Sequence, residues 1–184
     1  MANAITIKNL SKYYGDLLAV DKLSLKIKKG DFVGLLGPNG AGKSTTIKIL
    51  CGIMRPSSGS ARINGVDVSN RVKALSDVGV IVEIPEFYPY FTPVDALTYL
   101  GKIRQMNKDE LGERIETVLE LVELEDRSDT KIGEFSRGMK QRLGVAQVLL
   151  HDPSILILDE PAMGLDPKGI AEVRKIIKKT IVSC

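Results

Sequence analysis

The sequence predicts an α/β fold: a mainly parallel sheet at the centre, an antiparallel β part opening the chain, and an α-helical part inserted before its end. Three observations predict it. Short apolar runs alternate with segments of helical period, the opening segment carries a period-two pattern, and a glycine-rich turn joins one apolar run directly to a helix. A length of 184 residues suits one sizeable domain.

The elements follow in chain order. Ile5 and Ile7, then Leu23, Leu25 and Ile27, alternate with polar neighbours, as strands with one buried face do. Asp31 to Gly37 is an apolar run of strand length that ends in a glycine-rich turn, and Ser44 to Cys51 follows as a helix. Pro56, Ser57, Ser58 and Gly59 mark a turn between Gly52 and Gly65, with short apolar runs at Ala61 to Asn64 and Val78 to Val82. Pro85, Pro89 and Pro93 punctuate a loop that carries Phe87, Tyr88, Tyr90 and Phe91. From Val94 to Leu124 the period lengthens: Leu111, Ile115, Leu119 and Val122 share one face of an amphipathic helix, where a helical insertion begins. Gly138 to Leu150 reads as a helix, Ile155 to Leu158 as a fully buried strand, Pro167 to Lys179 as a helix and Thr180 to Ser183 as a last strand.

Composition narrows the function. Hydrophobic types make up 43% and charged types 27%, which is globular rather than disordered. The 26 basic and 23 acidic residues leave +3, spread along the chain, and aromatics are 5% with no Trp; nucleic acid is therefore not expected as a partner. Cys51 and Cys184 are too few and too far apart for a metal knuckle or disulfide framework, which points to a reducing, cytosolic compartment. No apolar stretch has membrane-spanning length, and Met1 to Lys12 lacks the apolar core of a signal peptide.

Two motifs carry chemistry. Gly37-Pro38-Asn39-Gly40-Ala41-Gly42-Lys43-Ser44 fits G-x-x-x-x-G-K-[ST] between a predicted strand and a predicted helix. Glycines let backbone N–H groups converge on phosphate oxygens, and the helix beginning near Gly42 turns its positive end toward them. Lys43 would meet the β and γ phosphates and Ser44 would ligate Mg²⁺; the bland alternative is a glycine turn that merely caps a helix. In Ile155-Leu156-Ile157-Leu158-Asp159-Glu160 a buried strand delivers two carboxylates to the sheet's C-terminal edge, the Walker B pattern. Asp159 would hold the metal, directly or through water, and Glu160 would accept a proton from the water attacking the γ phosphate; alone, such a pair is more often a solvated turn or helix cap.

With these motifs in hand, the chain resembles the ATP-binding cassette (ABC) ATPases, the motor subunits of membrane transporters, over essentially its whole length. Phe135-Ser136-Arg137-Gly138-Met139-Lys140-Gln141 is similar to the family signature LSGGQ. The resemblance implies that Ser136 and the N–H groups from Gly138 onward meet ATP held by a second subunit, itself or a homologue, in a nucleotide-sandwiched dimer. It implies a D-loop role for Asp166, which could also cap the helix beginning at Pro167. It places Tyr14 against adenine, with Tyr13 as runner-up, and implies nucleotide contacts from Gly37, Asn39, Gly40, Ala41, Gly42, Lys43, Ser44 and Thr45. Glu83 stands at the Q-loop glutamine position, where a carboxylate adds charge beside the Mg²⁺ and could both sense γ phosphate and bind metal.

The resemblance further implies a single ABC ATPase domain. Residues 1–92 and 151–184 would form the nucleotide-binding core and 93–150 the helical part with the signature. The chain would be peripheral on the inner membrane face, bound to transmembrane permease subunits. Arg137 and Met139 depart from the signature, and Glu83 from the Q-loop; these variants are similar to the branch that drives exporters of drugs, peptides or lipids. The family's switch histidine would follow Ser183-Cys184, whereas the one histidine, His151, is expected at the surface. The domain is thus expected to be C-terminally incomplete, with Thr180 to Ser183 central in the sheet. The expected function is a transport-coupled ATPase, weak on its own, with a non-catalytic ATP-binding module as the alternative.

Overall fold

The computed structural model describes residues 3–82 and 86–183, the last five as backbone only. Glu83, an expected site residue, and Cys184 lie outside the described residues. The chain divides into two compact units, residues 1–78 and 79–184.

In the first unit the expected antiparallel part is a four-stranded sheet of order β2-β1-β3-β4, formed by β1 (Asn3–Tyr14), β2 (Leu17–Lys28), β3 (Ser58–Ile63) and β4 (Val66–Asp67). Ile5 pairs with Ile27 and Ile7 with Leu25, so the two period-two patterns meet in register. Ile5, Ile7 and Leu10 are buried, and the half-buried Leu23, Leu25 and Ile27 alternate with exposed Ser24, Lys26 and Lys28. Helix α1 (Lys43–Leu50) packs against β2 and β3 with Thr46, Ile49 and Leu50 buried. The short helix α2 (Arg71–Ala74) follows, capped by Asn70.

The expected strand at Asp31 to Gly37 does not form. Among the described residues this segment belongs to no ladder, and Phe32 and Leu36 are 73% and 92% exposed. Apolarity gives a segment faces to bury, but a strand also requires a neighbour for its N–H and C=O groups. Its entry is fixed instead by a tight turn, in which Asp31 donates its N–H to Lys28 O (3.2 Å) and accepts from Lys28 N (2.8 Å).

The second unit holds the remaining helices. Strands β5 (Val78–Ile81) and β6 (Ile155–Leu158) are hydrogen-bonded neighbours and form the parallel sheet, connected through three helices as a parallel pair requires. Those helices are α3 (Pro93–Ile103), α4 (Lys108–Leu121) and α5 (Arg137–Leu149). The single amphipathic face expected from Val94 to Leu124 is therefore two helices. Thr92 starts the first with a capping box to Asp95 and Pro93 in its first turn, and Asn107 caps the second by accepting from Asp109 N at 3.0 Å. Between them Gln105 takes a left-handed φ of 59°, which no continuous helix permits. Leu111, Ile115, Leu119 and Val122 are buried as expected, in a core shared with Leu97, Leu143, Leu149 and Leu150.

Three further expectations are corrected. In β6 only Ile157 is buried and its neighbours are half-buried, since a strand with one ladder partner keeps a flank open. Residues 180–183 are not a strand: helix α6 runs from Pro167 to Ser183. Thr180, Ile181 and Val182 favour strands by type, but a helix satisfies its backbone internally where no ladder is at hand, and Val173 and Ile176 anchor the same helix in the core. His151 is half-buried rather than at the surface, because it follows α5 directly where the chain turns into β6.

Candidate functional site

The expected site residues fall in both units. In the first, Gly37 to Thr45 form the turn that enters α1. Gly40 and Gly42 have φ of 83° and 80°, so the chain reverses through left-handed backbone that glycine adopts without strain. At Gly42 glycine is also required sterically, because a Cβ there would lie 2.3 Å from Ala19 O and 2.9 Å from Val20 Cγ2.

Gly42 caps α1 without offering a side chain, so among the described residues the N–H groups of Lys43, Ser44 and Thr45 have no side-chain cap. They sit at the positive end of the helix, where an anion is the natural partner. The Lys43 ammonium donates to Gly37 O (2.8 Å) and Pro38 O (2.9 Å), which places a full positive charge inside the turn. Thr46 steadies the turn from below, donating both Oγ1 and N to Gly42 O at 2.9 Å. Asn39, Ala41 and Ser44 are exposed. Tyr14, at the end of β1, brings its hydroxyl 3.5 Å from Thr45 Oγ1 and 3.0 Å from Met54 Sδ, with the Lys12 ammonium 5.5 Å from its ring centroid. Tyr14 therefore lies beside the first turn of α1 and leaves 44% of its surface open.

In the second unit Asp159 and Glu160 leave the end of β6 as expected. The Asp159 N–H donates to Ile81 O at 2.7 Å, so the ladder fixes the first carboxylate residue. Glu160 has a left-handed φ of 46°, uncommon for a non-glycine residue, and its carbonyl accepts from Met163 N at 3.0 Å. The chain thus turns sharply at the second carboxylate, whose side chain is exposed while Asp159 is half-buried.

Ser136 caps α5, accepting from Met139 N at 3.2 Å, with Gly138 in the first turn. Asp166 caps α6 through Oδ1, which accepts from Gly169 N at 2.9 Å. The capping role left open for Asp166 is thus present.

Two side chains of the signature segment, Arg137 and Gln141, to which the sequence reading gave no such contact, meet the carboxylate turn. Gln141, 1% exposed, donates its carboxamide N–H to Pro161 O. Arg137, one helical turn earlier, lays its guanidinium over Gly164 and donates to Met163 O at 3.4 Å. The signal for this pair was present as the i, i+4 spacing of 137 and 141 on a predicted helix, which gives them one face. What spacing could not show is which loop that face meets.

A P-loop turn and a strand-borne carboxylate pair define the nucleoside-triphosphate-binding class of α/β proteins. A family model described as ABC transporter matches residues 20–163, and the chain belongs to this family. It is 45% identical over 178 residues to the bacitracin transport ATP-binding protein BcrA of Bacillus licheniformis, covering 96% of this chain and 57% of that protein. It is 38% identical over 170 residues to the Nod factor export ATP-binding protein I of Cupriavidus metallidurans, covering 92% of this chain and 56% of that one. The chain thus spans little more than half the length of these curated relatives. Among solved structures, an ATP-binding subunit of an ABC transporter is 30% identical with a TM-score of 0.84, covering 98% of this chain and 75% of that one. A nucleotide-free ATP-binding cassette, 23% identical, shares the fold with a TM-score of 0.86 over 99% of this chain and 78% of that one.

Proposed function

We propose that this chain is the ATP-binding and ATP-hydrolysing motor of an ABC transporter, coupling nucleotide-driven dimer closure to export through permease subunits. The observation that carries the reading is the Gly37 to Thr45 turn: uncapped helix N–H groups and a lysine ammonium held inside, in a turn pressed against β2 at Gly42. A triphosphate suits the N–H groups and the ammonium. Its oxygens take the free N–H groups, and its charge complements Lys43 and the helix end. In this reading Tyr14 stacks on adenine, the backbone from Gly37 to Thr45 cradles the phosphates, and the Ser136 and Gly138 end of α5 meets the nucleotide of a second subunit, with Asp166 at the seam.

As the family resemblance implies, Ser44, Asp159 and Glu83 would supply oxygen donors to Mg²⁺. Among the described residues no cluster of three or more His, Cys, Asp or Glu could hold a metal. Hydroxyl and carboxylate oxygens are the hard donors that Mg²⁺ takes. When bound, Mg²⁺ neutralises charge that develops on the transferred phosphoryl group. Glu160 holds the proton of the attacking water, while Lys43 and the opposed Ser136 stabilise the departing charge.

Among the described residues no helix is long and apolar enough to cross a membrane. Membrane attachment is therefore proposed through a permease partner, on the inner face of the membrane. The exposed rings of Tyr88, Tyr90 and Tyr99, packed around Phe91, suit a surface that would pass the nucleotide-driven motion to that partner. The names of two relatives, one a bacitracin transport and one a Nod factor export ATP-binding protein, support the transport role, and the second supports its export direction.

The test is titration calorimetry of this chain with millimolar Mg·ATP, beside Lys43→Ala, followed by phosphate release. Binding that Lys43→Ala abolishes is expected, with slow release. Binding without release would leave a non-catalytic nucleotide module, and no heat from the unsubstituted chain would refute the reading.

A further inference from the structure

Arg137 and Gln141 have no part in the function just proposed, yet both project from one face of α5 onto the turn that carries Asp159 and Glu160. We infer that they form a clamp that positions this carboxylate pair, a role that rests on the ATPase reading for its chemical meaning.

The turn is held at its start by the β6–β5 ladder, through Asp159 N on Ile81 O at 2.7 Å. Without a second anchor, Glu160 would sit at the free end of a lever, in a left-handed conformation that costs about 1 kcal/mol or more for a non-glycine residue. The second anchor comes from α5. Gln141 is almost wholly buried, and its carboxamide donates to Pro161 O, the carbonyl directly after Glu160. Because Pro161 O can only accept, the contact fixes which way the amide points. The other atom of that amide, Oε1, is buried with no partner among the described residues, so the group lies there at an energetic cost that the Pro161 contact offsets.

Arg137 holds the far side of the turn. Its guanidinium donates to Met163 O and lies so close over Gly164 that a Cβ there would come within 2.3 Å of an Arg137 nitrogen. Gly164, with φ of 73°, gives the flat guanidinium its seat. Pro161 and Met163 are thus gripped by two side chains one helical turn apart, and Glu160 is fixed from both directions. Gln141 and Arg137 touch neither substrate nor metal; they are positioning residues.

The test uses Arg137→Ala, Arg137→Lys, Gly164→Ala and the Arg137→Ala/Gly164→Ala double variant, because Gln141→Met removes a buried group and can fail by unfolding. Hydrogen exchange is followed at the Met163 and Leu165 amides, which bond to Glu160 O and Ala162 O within the turn. Fluorescent-ATP affinity, phosphate release and melting temperature are measured on the same preparations. Arg137→Ala should speed exchange at those two amides several-fold and lower kcat by a similar factor, with ATP affinity and melting temperature unchanged. Arg137→Lys should restore part of both, and Gly164→Ala should cost less when Arg137 is already Ala.

Unchanged exchange in Arg137→Ala overturns the clamp. Faster exchange with kcat unmoved overturns its positioning role. If the unsubstituted chain binds no ATP, the ATPase reading fails, and the clamp stands or falls on the exchange data alone.

Discussion

Gly42→Ala separates two reasons for a glycine in the turn that enters α1. Gly42 and Gly40 share nearly the same backbone, with φ of 80° and 83°, so an alanine at either incurs the left-handed cost of about 1–2 kcal/mol. Only Gly42 is crowded: its Cβ would meet Ala19 O at 2.3 Å, whereas the Cβ at Gly40 meets nothing within 4 Å. Because Ala19 belongs to β2, the clash cannot be relieved by rotating a side chain, and pushing backbone aside adds about 1–3 kcal/mol. For a chain of this size about 1 kcal/mol shifts the melting temperature by about 2–4 °C. Gly42→Ala should therefore melt roughly 4–20 °C lower and Gly40→Ala roughly 2–8 °C lower, by the same conversion. Thermal melts by circular dichroism, with and without Mg·ATP, measure both. If the two variants melt together, the close approach of the turn to β2 is not what fixes glycine at 42.

Other outcomes follow from the same structure. Glu160→Gln should leave ATP binding intact and lower phosphate release by about 10²–10⁴, the usual contribution of a positioned base, in a single-turnover assay. Arg114 donates to Leu149 O at 2.8 Å and Leu150 O at 3.2 Å, satisfying carbonyls at the end of α5. Arg114→Ala should lower stability by about 1.5–3 kcal/mol in urea unfolding, because charge-assisted bonds are lost. Its ion pair with the exposed Asp152 is worth less, so Asp152→Asn should cost under about 1 kcal/mol by the same measurement. The N–H and hydroxyl of Thr92 hold the Asp95 carboxyl below its ordinary range. A carboxylate depressed in the folded state stabilises above its unfolded pKa and loses that contribution as pH falls through the folded one. In Thr92→Ala the Asp95 titration, followed by NMR, should therefore move upward, and the variant should lose less stability on acidification than its parent, having less of this contribution to lose.

Much of the candidate site could be read from residue types, because its parts are local. The glycine turn, Lys43 and Ser44 form one contiguous stretch, and the carboxylates stand at the end of a four-residue apolar run. The signature serine occupies a helix cap, which chain-local hydrogen bonding dictates. What escaped depends on partners far along the chain. Asp31 to Gly37 has strand composition without a ladder, and Thr180 to Val182 have strand-favouring side chains at the end of a helix already anchored by Val173 and Ile176. In both cases type-based preference yields to where backbone groups find hydrogen bonds. The grip of Arg137 and Gln141 on the carboxylate turn escaped for the same reason, since Gln141 and Pro161 stand 20 positions apart.

The left-handed backbone at Glu160 bears on how variants of this chain should be selected. Asparagine accepts that conformation more readily than glutamate, so Glu160→Asn relaxes the fold by up to about 1 kcal/mol while removing the group proposed to take the proton. A screen that rewards heat resistance alone would rank this variant above its parent even if it had lost the proposed turnover. Engineering for robustness at this position needs a turnover count beside every melting curve.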